Sequence, residues 1–287
     1  MQLESLQIDV VEDGRFGLDG GAMFGIIPRP LWSRSDPPDE ANRIEMALRC
    51  LLIRDGQRCI LIDNGMGEQW NDRQRGQFAL DRTRVPCLLD NLERLGVDRR
   101  DITEMVFTHF HFDHNGGTVM PDGSLAFPGA MHHGSKVNYD LALSPSAKDA
   151  GSFRPEDRAG LVIGENLTLH EGPWRLTPQL DFIVSDGHTL GMHLPRIVSG
   201  GETMVFCADL VPTSSHLHLP WVMGYDCMPV RTIEEKTDLL AQAYDHNWIL
   251  LFEHDPEIDG CRVVKDERGR YRRGEVIDLG GIGRSWG

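Results

Sequence analysis

His109-Phe110-His111-Phe112-Asp113-His114 places three imidazoles and a carboxylate in one short stretch, directly after the apolar run Met105-Val106-Phe107-Thr108. If a strand leads into the stretch, alternation along an extended backbone delivers His109, His111 and Asp113 to one side. His114 breaks that parity, so it is expected from a turn, free to face a second cation. Asn115-Gly116-Gly117 supplies the turn chemistry immediately afterwards. Imidazole and carboxylate suit zinc first, and iron, manganese or cobalt next.

Other short apolar runs also end in a ligand-type residue. Cys59-Ile60-Leu61-Ile62 leads to Asp63, and Phe182-Ile183-Val184 leads to His188 by way of Asp186-Gly187. Met204-Val205-Phe206-Cys207 leads to Asp209, and Ile249-Leu250-Leu251-Phe252 leads to Glu253-His254-Asp255. Continuous apolar runs of this length read as strands covered on both faces. Strand ends are where α/β-type sheets gather functional groups. No Ser-His-Asp nucleophile motif and no phosphate-cradling glycine loop competes with a metal site.

The ordered set of Asp63, the His109–His114 cluster, His188, Asp209 and His254 resembles the metallo-β-lactamase superfamily of metallohydrolases. The resemblance spans roughly residues 63 to 254. It implies one metal on His109, His111 and His188, a second on Asp113, His114 and His254, and Asp209 bridging the two. It also implies that Asp63 orients the ligands from behind instead of binding metal. Periodicity alone gives α/β. The resemblance implies a four-layer αββα sandwich of two mixed β-sheets with outer helices, formed as a single domain over residues 1–287. Two divalent metal ions, most simply Zn²⁺, then act through a metal-bridging hydroxide, with Asp113 as the proton shuttle to the leaving group. Within the superfamily the chain looks closest to the lactonase and organophosphate-hydrolase branch. The expected substrate is therefore a neutral ester-like small molecule, first a lactone such as an acyl-homoserine lactone. Related lactonases often carry a Tyr three residues after the bridging Asp, where this chain has Pro212. An organophosphate or phosphodiester hydrolase is the alternative, and a non-catalytic metal-binding or sensor protein is the alternative of another class.

Composition narrows the partners. A formal charge of −15 over 287 residues argues against a nucleic-acid surface. No apolar stretch reaches membrane-spanning length, and Met1-Gln2-Leu3-Glu4-Ser5 lacks the features of a signal peptide. A cytoplasmic protein is expected on this reading, with its 6 Cys reduced and Cys207 in the core. The Leu spacing in 85–95 predicts a helix stopped by Gly96, and Thr232 with Glu235 predicts a capping box opening a helix to Tyr244. The apolar, glycine-rich stretch 20–32 reads as a pocket wall or a homodimer arm. Met23 and Phe24 from it are expected to face His216, Trp221 and Tyr225 across a substrate pocket. His132, His133, His170, His193 and His246 are discounted as lone surface or core residues.

Overall fold

A computed structural model describes residues 1–3 and 6–280. The expectation of one domain over residues 1–287 takes in positions 4, 5 and 281–287, which lie outside the described residues.

The first half of the chain builds a seven-stranded sheet in sequence order. Its strands are β1 (Gln2–Leu3), β2 (Leu6–Asp19), β3 (Arg43–Arg54), β4 (Cys59–Ile62), β5 (Glu104–Val106), β6 (Met131–Ser135) and β7 (Leu167–His170). Pairing is antiparallel from β1 to β4 and parallel from β4 to β7. The second half builds another seven-stranded sheet. It comprises β8 (Trp174–Thr177), β9 (Leu180–Ser185), β10 (Met192–Ser199), β11 (Glu202–Phe206), β12 (Ile249–Leu251), β13 (Gly260–Lys265) and β14 (Tyr271–Ile277). Only β11 and β12 pair in parallel there.

The two-residue period of a strand explains the layers. Ile60, Ile62 and Val106 point one way and pack against Phe182, Phe206 and Leu251 of the other sheet. Leu61 and Met105 point the other way, onto Leu88 and Leu92 of the helix Leu88–Arg94. Val205 and Leu250 meet Leu239, Leu240 and Ala243 of the helix Pro229–Asp245. Both faces of each central strand are thus covered, which is why those strands read as unbroken apolar runs. The result is the expected αββα order of two mixed sheets between helices.

Three local expectations are corrected. The helix expected from residue 85 begins at Leu88, although it does stop before Gly96, whose φ is +71°. Thr232 and Glu235 do not form a capping box. Pro229 starts that helix earlier, its fixed φ fitting the first helical position. Glu235 instead accepts hydrogen bonds from Ser185 Oγ and the Asp186 and Gly187 amides, tying the helix to the end of β9. Stretch 20–32, whose glycines and prolines read as too irregular for a helix, forms the short helices Gly20–Phe24 and Arg29–Trp32.

Strand direction gathers the site. β4 and β5 run parallel, so Asp63 and the His109–His114 stretch emerge at one edge. β9, β11 and β12 run alike, so His188, Asp209 and His254 follow ends that face the same way.

Candidate metal centre

β5 ends at Val106, and the Thr108 amide and hydroxyl both donate to Asp63, to Oδ1 at 2.7 Å and Oδ2 at 2.6 Å. Since the Thr108 hydroxyl spends its proton there, it accepts from Nδ1 of His109 at 3.0 Å. Nε2 of His109 is then a bare lone pair. The same logic fixes other rings. His188 donates from Nδ1 to Asp226 Oδ1 at 3.0 Å, and His254 donates from Nδ1 to the Ala47 carbonyl at 2.9 Å. His114 donates from Nδ1 to Asp63 Oδ2 at 3.1 Å. In the neutral form of all four rings Nε2 is left as the acceptor.

These lone pairs converge. His111 Nδ1 lies 3.0 Å from His109 Nε2 and 3.1 Å from His188 Nε2. Asp209 Oδ2 lies 3.0 Å from His188 Nε2, 3.5 Å from His114 Nε2 and 3.8 Å from His109 Nε2. Its Oδ1 lies 3.1 Å from His254 Nε2. Asp113 reaches His114 Nε2 with one oxygen and His254 Nε2 with the other, each at 3.8 Å. Despite these short distances, His114 Nε2, His254 Nε2 and Asp209 Oδ1 are buried without a properly aligned hydrogen bond. Acceptors facing acceptors in a buried space repel unless a cation lies between them. The donors separate into His109, His111, His188 and Asp209, and Asp113, His114 and His254, each set close enough to hold one ion. The residues therefore fit two divalent cations with Asp209 between them.

This grouping corrects the parity argument. Asp113 does not share a side with His109 and His111, because the chain turns into the short helix Phe112–Asn115 before reaching it. Asp113 and His114 leave that turn together.

Backbone strain sits beside the site. Asp63 (φ +55°) and Ala208 (φ +42°) are left-handed without being glycine, and Ala208 immediately precedes Asp209. Under His114 the backbone is too close for side chains. A Cβ on Gly116 would lie 2.5 Å from the Met66 carbonyl, and one on Gly117 2.3 Å from that of Asn64.

Electrostatics follow from burial and carboxylates. Burial by itself lowers the pKa of His188, but Asp209 and Asp226 outweigh it and hold the value up at about 9. Burial and neighbouring imidazoles push His109 and His111 well below the usual range.

A cavity of about 290 Å³ opens over these groups, with His111, Asp113, Asp209 and His254 in its floor. Leu18, Met23, Met46, Phe78, Phe112, Met223 and Tyr225 give it apolar walls, and Gln77, Lys148 and Ser152 are its polar wall residues. Met23 and Tyr225, expected at a substrate pocket, line this cavity; Phe24, His216 and Trp221, expected with them, do not. Phe24 is sandwiched between Trp32 and His216, with Trp221 edge-on. His216 donates from Nε2 to the Met23 carbonyl and accepts from Thr213 Oγ1. Burial lowers its pKa to about 4, so it is a neutral prop behind the wall. Trp221 lines a separate cavity with Ser214, Ser215 and His218. An apolar loop rich in rings packs on itself when it can, and its sequence does not show which side it presents.

Sequence reasoning missed three residues. Asp226 holds His188 from a loop 38 positions away. Glu253 is fully buried beside His114. A carboxylate ending an apolar strand next to a histidine was a visible signal for Glu253. Nothing in the sequence marked Asp226, or Lys148, which donates to the Gly224 and Tyr225 carbonyls at 3.0 and 2.8 Å.

Comparison with known proteins agrees with this geometry. Residues 49–254 match the family model described as the Metallo-beta-lactamase superfamily. An N-acyl homoserine lactonase of Bacillus thuringiensis is 22% identical over 236 residues, covering 78% of this chain and 87% of that one. A probable metal-dependent hydrolase from Staphylococcus aureus superposes with a TM-score of 0.86 at 26% identity, covering 97% of this chain and 100% of that one. AidC, a dizinc quorum-quenching lactonase, shares the fold with a TM-score of 0.77 at 23% identity and 96% coverage of each chain. No helix among the described residues is long and apolar enough to cross a membrane. The chain belongs to the metallo-beta-lactamase superfamily and is a metal-dependent hydrolase.

Proposed function

We propose that this chain hydrolyses a neutral, mostly apolar ester-like substrate, a lactone of the acyl-homoserine type before any other. His109, His111 and His188 would hold one cation, Asp113, His114 and His254 the other, and Asp209 both. Zinc is the metal that best suits this set of nitrogen and carboxylate donors. The observation that carries the substrate reading is the apolar cavity over the donors, whose walls can bury an acyl chain while its floor meets the scissile group.

Bound cations would supply a water acidic enough to attack near neutral pH and positive charge for the developing oxyanion. The rest is the work of this chain's side chains. Asp113 is in the cavity floor, where its carboxylate can take a proton from the nucleophile and return it to the leaving alkoxide. Tyr225 stands in the wall with its pKa pushed up to about 12, chiefly by burial and then by Asp113. At neutral pH its hydroxyl therefore donates, and it is the group that would hold the substrate carbonyl. It reaches the cavity from a loop after Trp221, which removes the need for a tyrosine at the position of Pro212. Lys148 fixes that loop through its two carbonyls. Asp226 fixes His188 from the same loop.

The test is turnover of a panel of lactones, aryl phosphotriesters, thioesters and nitrocefin by metal-loaded protein. Lactones should lead, with kcat/KM rising with acyl length by about threefold to fourfold per methylene until the cavity is full, from ~0.8 kcal/mol per buried CH₂. Efficient phosphotriester turnover with negligible lactone turnover would overturn the ranking.

A further inference from the structure

Glu253 has no part in the hydrolytic scheme, yet its place is unusual. It follows β12 and immediately precedes His254, and its side chain is fully buried. Oε1 lies 3.0 Å from Nδ1 of His114. Asp63 Oδ2 lies 3.1 Å from the same nitrogen and takes its hydrogen bond. One N–H cannot serve both carboxylates with good geometry. Neither oxygen of Glu253 has an aligned hydrogen bond among the described residues. Leaving a carboxylate buried in that state costs folding free energy, and an apolar side chain of similar volume would avoid the cost.

What offsets the cost lies across the imidazole ring. His114 Nε2 points into the donor cluster, 3.5 Å from Asp209 and 3.8 Å from Asp113. A carboxylate behind one ring nitrogen raises the basicity of the other and attracts positive charge placed there. We propose that Glu253 is a positioning residue for the metal centre: with Asp63 it backs His114, tightening the cation held by Asp113, His114 and His254, at the expense of the stability of the metal-free fold. The proposal rests on the reading of His114 as a ligand. Direct ligation of a third ion between Asp63, His114 and Glu253 is disfavoured, because both oxygens of Asp63 are already engaged by Thr108 and His114.

The experiment compares the parent with Glu253→Met and Glu253→Gln, the second keeping the shape if methionine is not accommodated. Zinc affinity is measured by competition with a chromophoric chelator, and thermal unfolding is measured on protein stripped of metal. The expected result is two zinc ions per chain throughout. One of the two dissociation constants should rise by roughly 10–100-fold in both variants, and the other should stay within about threefold. Metal-free Glu253→Met should melt above the parent, opposite to the effect of deleting a structural contact. Zinc constants unchanged in both variants, or a metal-free Glu253→Met that melts below the parent, would overturn the proposal. So would a third zinc equivalent present in the parent and lost in the variants. A parent that binds no zinc removes the underlying reading of His114, and this inference with it. A parent with two zinc ions and variants that match it removes this inference alone.

Discussion

Arg49→Met should destabilise the protein and loosen one metal more than the other. Arg49 is fully buried on β3. Its guanidinium lies 3.3 Å from Glu12 Oε1 and 3.1 Å from Asp259 Oδ1. It also donates to the Phe252 carbonyl and, at 2.9 Å, to that of Asp255. Those two carbonyls bracket Glu253 and His254, so one side chain holds the turn that presents His254. Methionine has similar length but no donor. Breaking a buried ion pair by deleting one partner costs about 3–5 kcal/mol, and each lost hydrogen bond about 1 kcal/mol more. Arg15 still faces Glu12 at 3.1 Å, which recovers part of this. A net loss of about 4 kcal/mol is expected, or a Tm lower by roughly 8–16 °C in the metal-free protein, taking about 2–4 °C per kcal/mol for a chain of this size. His254 keeps its bonds to Ala47 and Pro212, so the turn loosens without leaving. Chelator competition should then show a loss of about tenfold at the site containing His254 and little change at the other. Arg49→Lys, which keeps the charge without the fork, should fall between parent and Met. A Tm within about 3 °C of the parent, together with unchanged metal affinity, would refute the reasoning, since that is the size of a surface substitution.

Asp226→Asn removes the charge behind His188 and sets an amide NH₂ against either His188 or the Met223 N–H, which Asp226 now accepts at 3.1 Å. Affinity at the site with His109 and His111 should fall by about 10–100-fold, read by chelator competition. Lys148→Ala frees the Gly224 and Tyr225 carbonyls, and KM for the best substrate should rise about fivefold (~1 kcal/mol) with metal content unchanged. The metal-free protein should lose stability as pH rises from 6.5 to 9. His188 has its pKa raised to about 9 when folded, so its stabilisation is complete below the unfolded value of about 6.5 and vanishes as pH passes 9, a change of about 3 kcal/mol. His254 is also raised, and the buried acid Glu253 is raised to about 8, both acting in the same sense; Lys236, lowered to about 7 by burial, opposes them above that pH, while His109 and His111 are lowered and act only below the window. Urea melts of chelated protein at the two pH values check the sign.

Much of the site was legible because its donors announce themselves. His109 to His114 are adjacent in sequence, and His188, Asp209 and His254 each follow a run whose apolar residues mark a buried strand. Strand ends at one edge of a sheet then bring them together with few further assumptions. What stayed hidden depends on contacts between distant segments. Asp226 is one aspartate in an unremarkable loop until the fold lays that loop against His188. Glu253 stood in plain view, but only the fold puts its carboxylate beside His114 Nδ1. Phe24, His216 and Trp221 were misplaced because pattern reports that a loop is apolar and not which way it faces. Alternation placed Asp113 on the side of His109 and His111, and failed because a helical turn at Phe112 replaces the extended chain that parity assumes, whereas the grouping with His114 and His254 implied by the family resemblance matches the donor sets.

The most direct test of the dinuclear site is elemental analysis of the parent, Asp209→Ala and His254→Ala after reconstitution with zinc. Asp209 lies within 3.0–3.8 Å of nitrogens from both donor sets, whereas His254 belongs to one. Two metals per chain are expected in the parent, close to none in Asp209→Ala and about one in His254→Ala. A parent that holds well under one metal per chain, or an Asp209→Ala variant that keeps both, would contradict it.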